Sequence, residues 1–330
     1  MSSGSSFSIT NRVPFDVWYY LLTTQGLQTL LSARAVCRFL LMIGNTIVNN
    51  RYDRSLARYF PKPREFREVL DTTHGGIIGD FALSIVDIDS SLHPSSLDIC
   101  ASPSFEYHLM IYLLTTADFS IHKVHGRMTG MHSIQGFQKH IVLTKGDLVV
   151  NIFVSSFEVS YGPAVRQWNT LLYMFLTGSH FIHAYPNALF TRTGIIADHT
   201  PAWIASLSMS QHYVDDGYTL VSLKSRHHLY RTLWRKIREI PLDQKRWFGD
   251  HKCLVVSLDG QGGNKLRFGV GWPAWLDSEG PISPVARFIF PGWRDESRVI
   301  RRWIREEVQL KYRTEDDPHP ILSLFPVSDL

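Results

Sequence analysis

The stretch Ile77-Ile78-Gly79-Asp80-Phe81-Ala82-Leu83, followed by Pro94-Ser95-Ser96-Leu97-Asp98-Ile99, has the residue types and order of a phosphate-handling site. A glycine turn opens a helix, and a strand carrying a carboxylate follows. Two-metal phosphoryl or nucleotidyl transfer needs Mg²⁺ ions about 3.5–4 Å apart, caged by carboxylate oxygens. An Asp-x-Asp pair supplies two of them, because residues two apart on a strand point the same way. A neighbouring strand supplies the third. In this chain Ser96 takes the first position, Asp98 keeps the second, and the third falls at Asn151. Asp80 stands where a small hydroxyl residue would face a phosphate, and a carboxylate there repels a triphosphate. Gly79, Asp80, Ser96, Asp98 and Asn151 are therefore expected to form a degenerate pocket. One carboxylate of three does not hold two divalent ions, so no catalytic residue, metal or cofactor is expected.

The elements that would position this pocket are read from hydrophobic periodicity. Helices and strands alternate from 68 to 222, which suits an α+β or α/β body. The run 149–154 is expected to be a strand. Val165, Trp168, Leu171, Leu172, Phe175 and Leu176 recur at helical spacing and end at Gly178, which predicts a helix. His180-Phe181-Ile182-His183 reads as a strand, so its two histidines face opposite sides and do not pair on a metal. In the last third the pattern predicts a helix over 229–240, a hairpin across the turn 259–264 and a final helix over 295–313.

Upstream lies a different texture. A Ser/Gly tail (1–7) gives way to three short amphipathic helices within 8–52. Pro14 is placed to open the first helix. Residues 53–67 are charged, contain Pro61-Lys62-Pro63 and read as a linker. The whole chain divides into the tail, the helical module, the linker, the body (68–222) and an extension (223–330).

These residues carry two resemblances. Residues 8–52 resemble an F-box: its opening stands as Val13-Pro14-Phe15-Asp16-Val17 and its signature as Ala33-Arg34-Ala35-Val36-Cys37-Arg38-Phe39-Leu40. The resemblance implies a Skp-type adaptor of a cullin–RING ubiquitin ligase as partner, met by Pro14, Val17, Trp18, Leu30, Leu31, Val36 and Phe39. Residues 68–222 resemble the nucleotidyltransferase-like domains of mushroom-forming fungi. Their Gly-Ser-x-Ala-Leu, Pro-x-Asp-Leu-Asp and third-strand motifs align with Gly79–Leu83, Pro94–Asp98 and Val150–Val154. Further matches are Thr170–Thr177, Ala184-Tyr185-Pro186 and the run from His212 to Tyr218. That resemblance implies a mixed-sheet body, and the departures at Asp80, Ser96 and Asn151 fall on its functional positions.

Bulk properties set the remaining bounds. The 330 residues are 44% hydrophobic and 12% aromatic, enough for a large packed core. A net charge of +4 is too mild to mark a dedicated nucleic-acid binder. The three cysteines, with no CxxC pair, argue against a disulfide framework and for a reducing intracellular compartment, cytoplasmic or nuclear. No apolar run reaches the roughly 18 residues of a membrane span. The expected function is that of a ubiquitin-ligase substrate receptor with a catalytically inactive transferase-like body and an unknown protein client. The alternative is an atypical nucleotidyltransferase that retains Asp98 alone.

Overall fold

The computed structural model describes residues 13–87, 90–126, 137–156, 160–164, 167–196, 207–222, 246–247, 253–258 and 287–288. The chain is α+β. The expected helices over 229–240 and 295–313, the turn 259–264 and the strand that would follow it lie outside the described residues.

Three helices open the described chain: α1 (Phe15–Thr23), α2 (Leu27–Val36) and α3 (Arg38–Leu56). Pro14 caps α1 from outside, with an extended ψ of 156°, and does not occupy its first helical position. The third helix is not short. It spans 19 residues and runs past the expected module boundary, because Ile43, Ile47, Val48, Tyr52 and Leu56 keep one face buried over its whole length.

The segment read as a linker is part of the core. After α3 the chain turns once and enters α4 (Pro63–Thr72), with Pro63 in the first turn where its missing N–H costs nothing. Tyr59, Phe60 and Phe66 are almost wholly buried. The Phe60 and Phe66 rings stack at 3.8 Å, and Tyr112 and Phe119 close around them. Burying each ring contributes about 1.5–3 kcal/mol, so local charge did not make 53–67 a spacer. Helical module and body share a continuous hydrophobic cluster.

An eight-stranded mixed sheet forms the body. Its strands are β1 (Gly76–Ile78), β2 (Leu97–Ala101), β3 (Ser120–His125), β4 (Phe137–Lys145), β5 (Leu148–Ser155), β6 (Met174–Leu176), β7 (His180–His183) and, far along the chain, β11 (Leu254–Ser257). Their order is β11-β7-β6-β1-β2-β5-β4-β3. Every neighbouring pair is antiparallel except β2 and β5, which run parallel. Between β1 and β2 lies α5 (Gly79–Val86), and between β2 and β3 come α6 (Glu106–Ile111) and a turn of π-helix (Tyr112–Thr116). Beyond β7 are α7 (Pro186–Phe190), β8 (Thr193–Ile196), α8 (Leu207–Asp215) and β9 (Thr219–Ser222), with β8 and β9 paired in parallel. A two-residue strand, β10 (Arg246–Trp247), pairs with β12 (Arg287–Phe288).

The helix expected over 165–176 is absent where the chain is described. Thr170–Leu172 makes one 3₁₀ turn, and Met174–Leu176 is β6. Residues 169–178 are buried on every side. In a segment that deep, apolar residues at helical spacing do not distinguish a helix from a buried strand. The strand wins because Ile77 and the β7 residues 181–183 offer backbone partners on both edges.

The turn between β6 and β7 is gripped by the helices. Tyr52 donates its hydroxyl to Thr177 O at 3.1 Å, and Arg67 Nε donates to Gly178 O at 2.7 Å. A Cβ on Gly178 would sit 1.9 Å from Arg67 O, closer than any real side-chain contact. Among the described residues no helix is long and apolar enough to cross a membrane.

Candidate functional site

The local chain path at Gly79 follows from its backbone. β1 ends at Ile78, and Gly79 takes φ +72°, the left-handed region that favours glycine, to swing the chain into α5. β1 pairs antiparallel with β2 so that Ile78 lies opposite Asp98. A Cβ on Gly79 would meet Asp98 Oδ2 at 3.3 Å. The glycine thus serves both the turn and the close approach to the carboxylate.

Parallel pairing of β2 with β5 sets Asn151 directly opposite Asp98. Ser96, Asp98 and Asn151 therefore converge, the first two through strand alternation and Asn151 through this pairing. Asp98 Oδ1 accepts from Ser96 Oγ at 2.9 Å and from Asn151 Nδ2 at 2.8 Å. Ser96 and Asn151, the two positions at which carboxylates would complete a metal cage, are instead donors that hold Asp98. Burial pushes the Asp98 carboxyl above its ordinary value and the nearby Asp80 adds to this, while the bonds from Asn151 and Ser96 oppose it.

Asp80 lies outside the hydrogen-bonded Asp98 network. It is the second residue of α5, accepts a short hydrogen bond from the Tyr213 hydroxyl on Oδ1, and has His212 Nε2 3.6 Å from Oδ2. Burial and Asp80 raise the Tyr213 phenol well above its usual range, so it stays a donor. Asp80 borders a surface cleft of about 460 Å³ with His93, Ser95, His212 and Asp215. The base of that cleft is fixed by Asp216, which accepts from Ser90 and Ser91 and pairs with Arg192 at 3.3 Å. Ser96, Asp98 and Asn151 are not among its walls. The five expected pocket residues thus fall into an inner network and an outer cleft.

Sequence reasoning missed the row of rings beside that network. His125, His140 and Phe153 lie opposite one another across β3, β4 and β5. The His125 and His140 rings stack at 5.3 Å, and His140 stacks on Phe153 at 4.7 Å. His140 Nε2 lies 3.1 Å from Asn151 Oδ1. Since the Asn151 amide nitrogen is committed to Asp98, its oxygen accepts, and His140 donates from Nε2. The available signal was alternation in β4 and β5, which puts His140 and Asn151 on one face.

What this arrangement can do chemically follows from its donors. Asp98 offers one oxygen already taken by two bonds and another against Gly79. Among the described residues no group of three or more His, Cys, Asp or Glu side chains is placed to hold a metal ion. His180 and His183 take separate partners: His180 Nδ1 lies 2.9 Å from Ser179 Oγ, whereas His183 Nε2 lies 3.1 Å from Leu171 O.

The seven residues expected to form a helical docking face do not share one environment. Val17 and Val36 are exposed, Val36 to 71%, and Pro14 is also exposed. Trp18, Leu31 and Phe39 are partly buried, and Phe39 meets Phe15 edge-on at 6.2 Å. Leu30 is fully buried and cannot join a surface; it packs inward because α2 turns that side onto the module core. Phe15, Tyr20 and Leu21, outside the expected docking set, are exposed apolar residues of α1, Tyr20 to 73%. α1 is apolar almost all round, which hid its outward side. Arg34, part of the signature run, is spent inside the molecule: its Nη2 donates to Ser257 O of β11 at 2.9 Å.

The chain matches no family model, no curated protein and no solved structure.

Proposed function

We propose that this chain is a protein-recognition component, with an F-box-like helical module that docks a Skp-type adaptor and a nucleotidyltransferase-like body without transferase chemistry. The observation that carries the reading is the exposed apolar surface of α1 together with Val36 at the end of α2. Phe15, Val17, Tyr20, Leu21 and Val36 are each at least 41% exposed. Large side chains left in water on one small module favour a protein partner. The resemblance of 8–52 to an F-box names the adaptor as that partner.

Two features support the body's reading. Its strand, glycine turn, helix and antiparallel return strand, with a parallel strand beside it, follow the order in which the resemblance places its motifs. Ser96 and Asn151 act as hydrogen-bond donors to Asp98, which suits a scaffold and leaves two metal ions without their cage.

The test mixes purified chain with the adaptor and follows co-elution by size exclusion. Wild-type protein should co-elute at micromolar concentration. Val17→Asp with Val36→Asp should abolish this while the melting temperature stays put, because exposed substitutions usually change stability by less than about 0.5 kcal/mol. Absence of wild-type co-elution would remove the adaptor from the reading.

A further inference from the structure

We infer that the stacked rings of His125 and His140 form a pH-sensitive clasp, which holds the carboxyl-terminal end of edge strand β3 to the sheet at neutral pH and releases it in mild acid. The inference does not depend on the adaptor reading above.

β3 ends the sheet and pairs with β4 alone. Its residues are exposed on both faces as far as His125, which is half-buried. Ile121 and Val124 remain 51% and 44% exposed and so contribute little to holding the strand. The two ends of β3 are fastened differently. At the amino-terminal end Phe119 is buried, Ser120 Oγ donates to Thr144 O at 3.1 Å, and Lys145 Nζ donates to Ala117 O at 2.8 Å. The register then breaks between Ile121 and Lys123, which uncouples that end from the rest. Beyond the break the side chain that engages the sheet is His125. It lies directly opposite His140, with the ring centres 5.3 Å apart and the planes within 10°. Phe153 closes the stack under His140 at 4.7 Å.

Imidazole is the side chain that takes up a proton between about pH 8 and pH 5. Two parallel rings at this separation tolerate one charge between them. A second charge sets like against like, and the stack turns from adhesive to repulsive. The surrounding groups decide the order of protonation. His140 donates from Nε2 to Asn151 Oδ1, and Asn151 donates in turn to the Asp98 carboxyl, so this chain of bonds supports a cationic His140. His125 has the opposite setting. Lys123 stands two residues before it on the same face, and His122 sits at the register break. From β4, Lys139 lies opposite Val154 on the other face and pairs with Glu106 at 2.5 Å, while Lys145 is held at the far end of the strand. β5 carries no charged residue. Among the described residues no carboxylate pairs with His125, so its protonation is the step that opens the clasp. Opening bares the edge of β4 and the outer side of the His140 ring, beside the Asp98 network.

The test is amide hydrogen exchange of the full chain at about pH 7.5 and about pH 5, with each rate compared with that of an unstructured chain at the same pH. In wild type the protection of Lys123–His125 should fall at least tenfold on acidification. His125→Phe keeps a ring to stack on His140 but takes up no proton. Its β3 protection should match wild type at the higher pH and change less than twofold at the lower. His125→Gln removes both ring and charge, so β3 should be weakly protected at both pH values with no further fall. Wild-type protection of β3 that is indifferent to pH overturns the clasp. So does a fall in His125→Phe as large as in wild type, since the acid response would then come from groups other than this pair. If His125→Phe fails to fold, the same comparison with His125→Gln decides.

Discussion

Asn151 donates its amide to Asp98 across the parallel pairing of β2 and β5, at the place where a metal cage would set a second carboxylate against the first. With a donor at this place instead of an acceptor, Asp98 is satisfied without a cation. The reverse exchange is therefore informative. Ser96→Asp with Asn151→Asp should place three carboxylates together and destabilise the metal-free protein. Millimolar Mn²⁺ should then raise the melting temperature of this variant and leave wild type unmoved. At a hundredfold excess over Kd the gain is about 2.7 kcal/mol. Equal Mn²⁺ responses in variant and wild type would contradict the proposed transferase-like geometry.

Asp98 alone leads to a pH prediction. Its folded carboxyl is held above the ordinary value by burial and by Asp80, so the folded chain keeps a proton that the unfolded chain releases. Stability consequently falls as pH rises from about 4, the unfolded carboxylate range, through the folded value. Asp98→Asn keeps an oxygen for Ser96 and Asn151 and removes the charge. It should melt higher than wild type at pH 7, with the difference closing below about pH 4. If the atypical transferase reading held, this same variant would also lose Mg²⁺-dependent ATP or GTP binding in calorimetry.

His183 carries the opposite dependence. It is fully buried, donates from Nε2 to Leu171 O and accepts the Tyr185 N–H on Nδ1 at 2.9 Å. Burial, partly opposed by the bond to Leu171, lowers it from 6.5 to about 4. Neutral imidazole is favoured in the fold, so its contribution is present above pH 6.5 and is lost as pH falls towards 4. The amount is roughly 3 kcal/mol from 1.36 kcal/mol per pH unit. His183→Gln should melt with a shallower acid slope over that window, and an unchanged slope would assign the acid sensitivity elsewhere.

The α4 contact with the β6–β7 turn gives a steric prediction. Gly178→Ala has no room beside Arg67 O and should abolish folding or cost more than about 4 kcal/mol, among the large single-mutant effects. Arg67→Ala should cost about 2–3 kcal/mol, because it breaks the bonds to Gly178 O and Asn49 and leaves Asp53 with Arg64 alone. Urea unfolding measures both. A loss under 1 kcal/mol for Arg67→Ala would mean that the helices are not anchored through this side chain.

Some of this was legible in the chain and some was not, for physical reasons. β5 and β7 showed themselves as short apolar runs, and the glycine turn into α5 was marked by Gly79. That Ser96 and Asp98 lie on one side followed from strand alternation, whereas Asn151 joins them through the pairing of β2 with β5, which no local pattern encodes. β6 did not show itself, because a three-residue strand buried on both sides has no polar face to reveal its period. Residues 53–67 looked like a linker because charge dominates the sequence there, while three aromatic rings decide the packing. The ring row of His125, His140 and Phe153 depends on the register of three strands, which no local pattern encodes. Leu30 was misassigned to a surface because one helical stripe can turn to the core or to solvent, and only the neighbouring helices settle which.

Arg34 of α2 reaches Ser257 of β11 across 223 positions of sequence, and Asn49 of α3 reaches Leu258 beside it. During synthesis at about 5–20 residues per second, the first helices would emerge roughly 10–40 s before the strand they clasp. Over that interval the contacts of Arg34 with Ser257 and of Asn49 with Leu258 cannot form, and the eighth strand of the sheet does not yet exist. The amino-terminal helices are thus among the first segments made, yet these two of their contacts wait for nearly the last strand of the sheet.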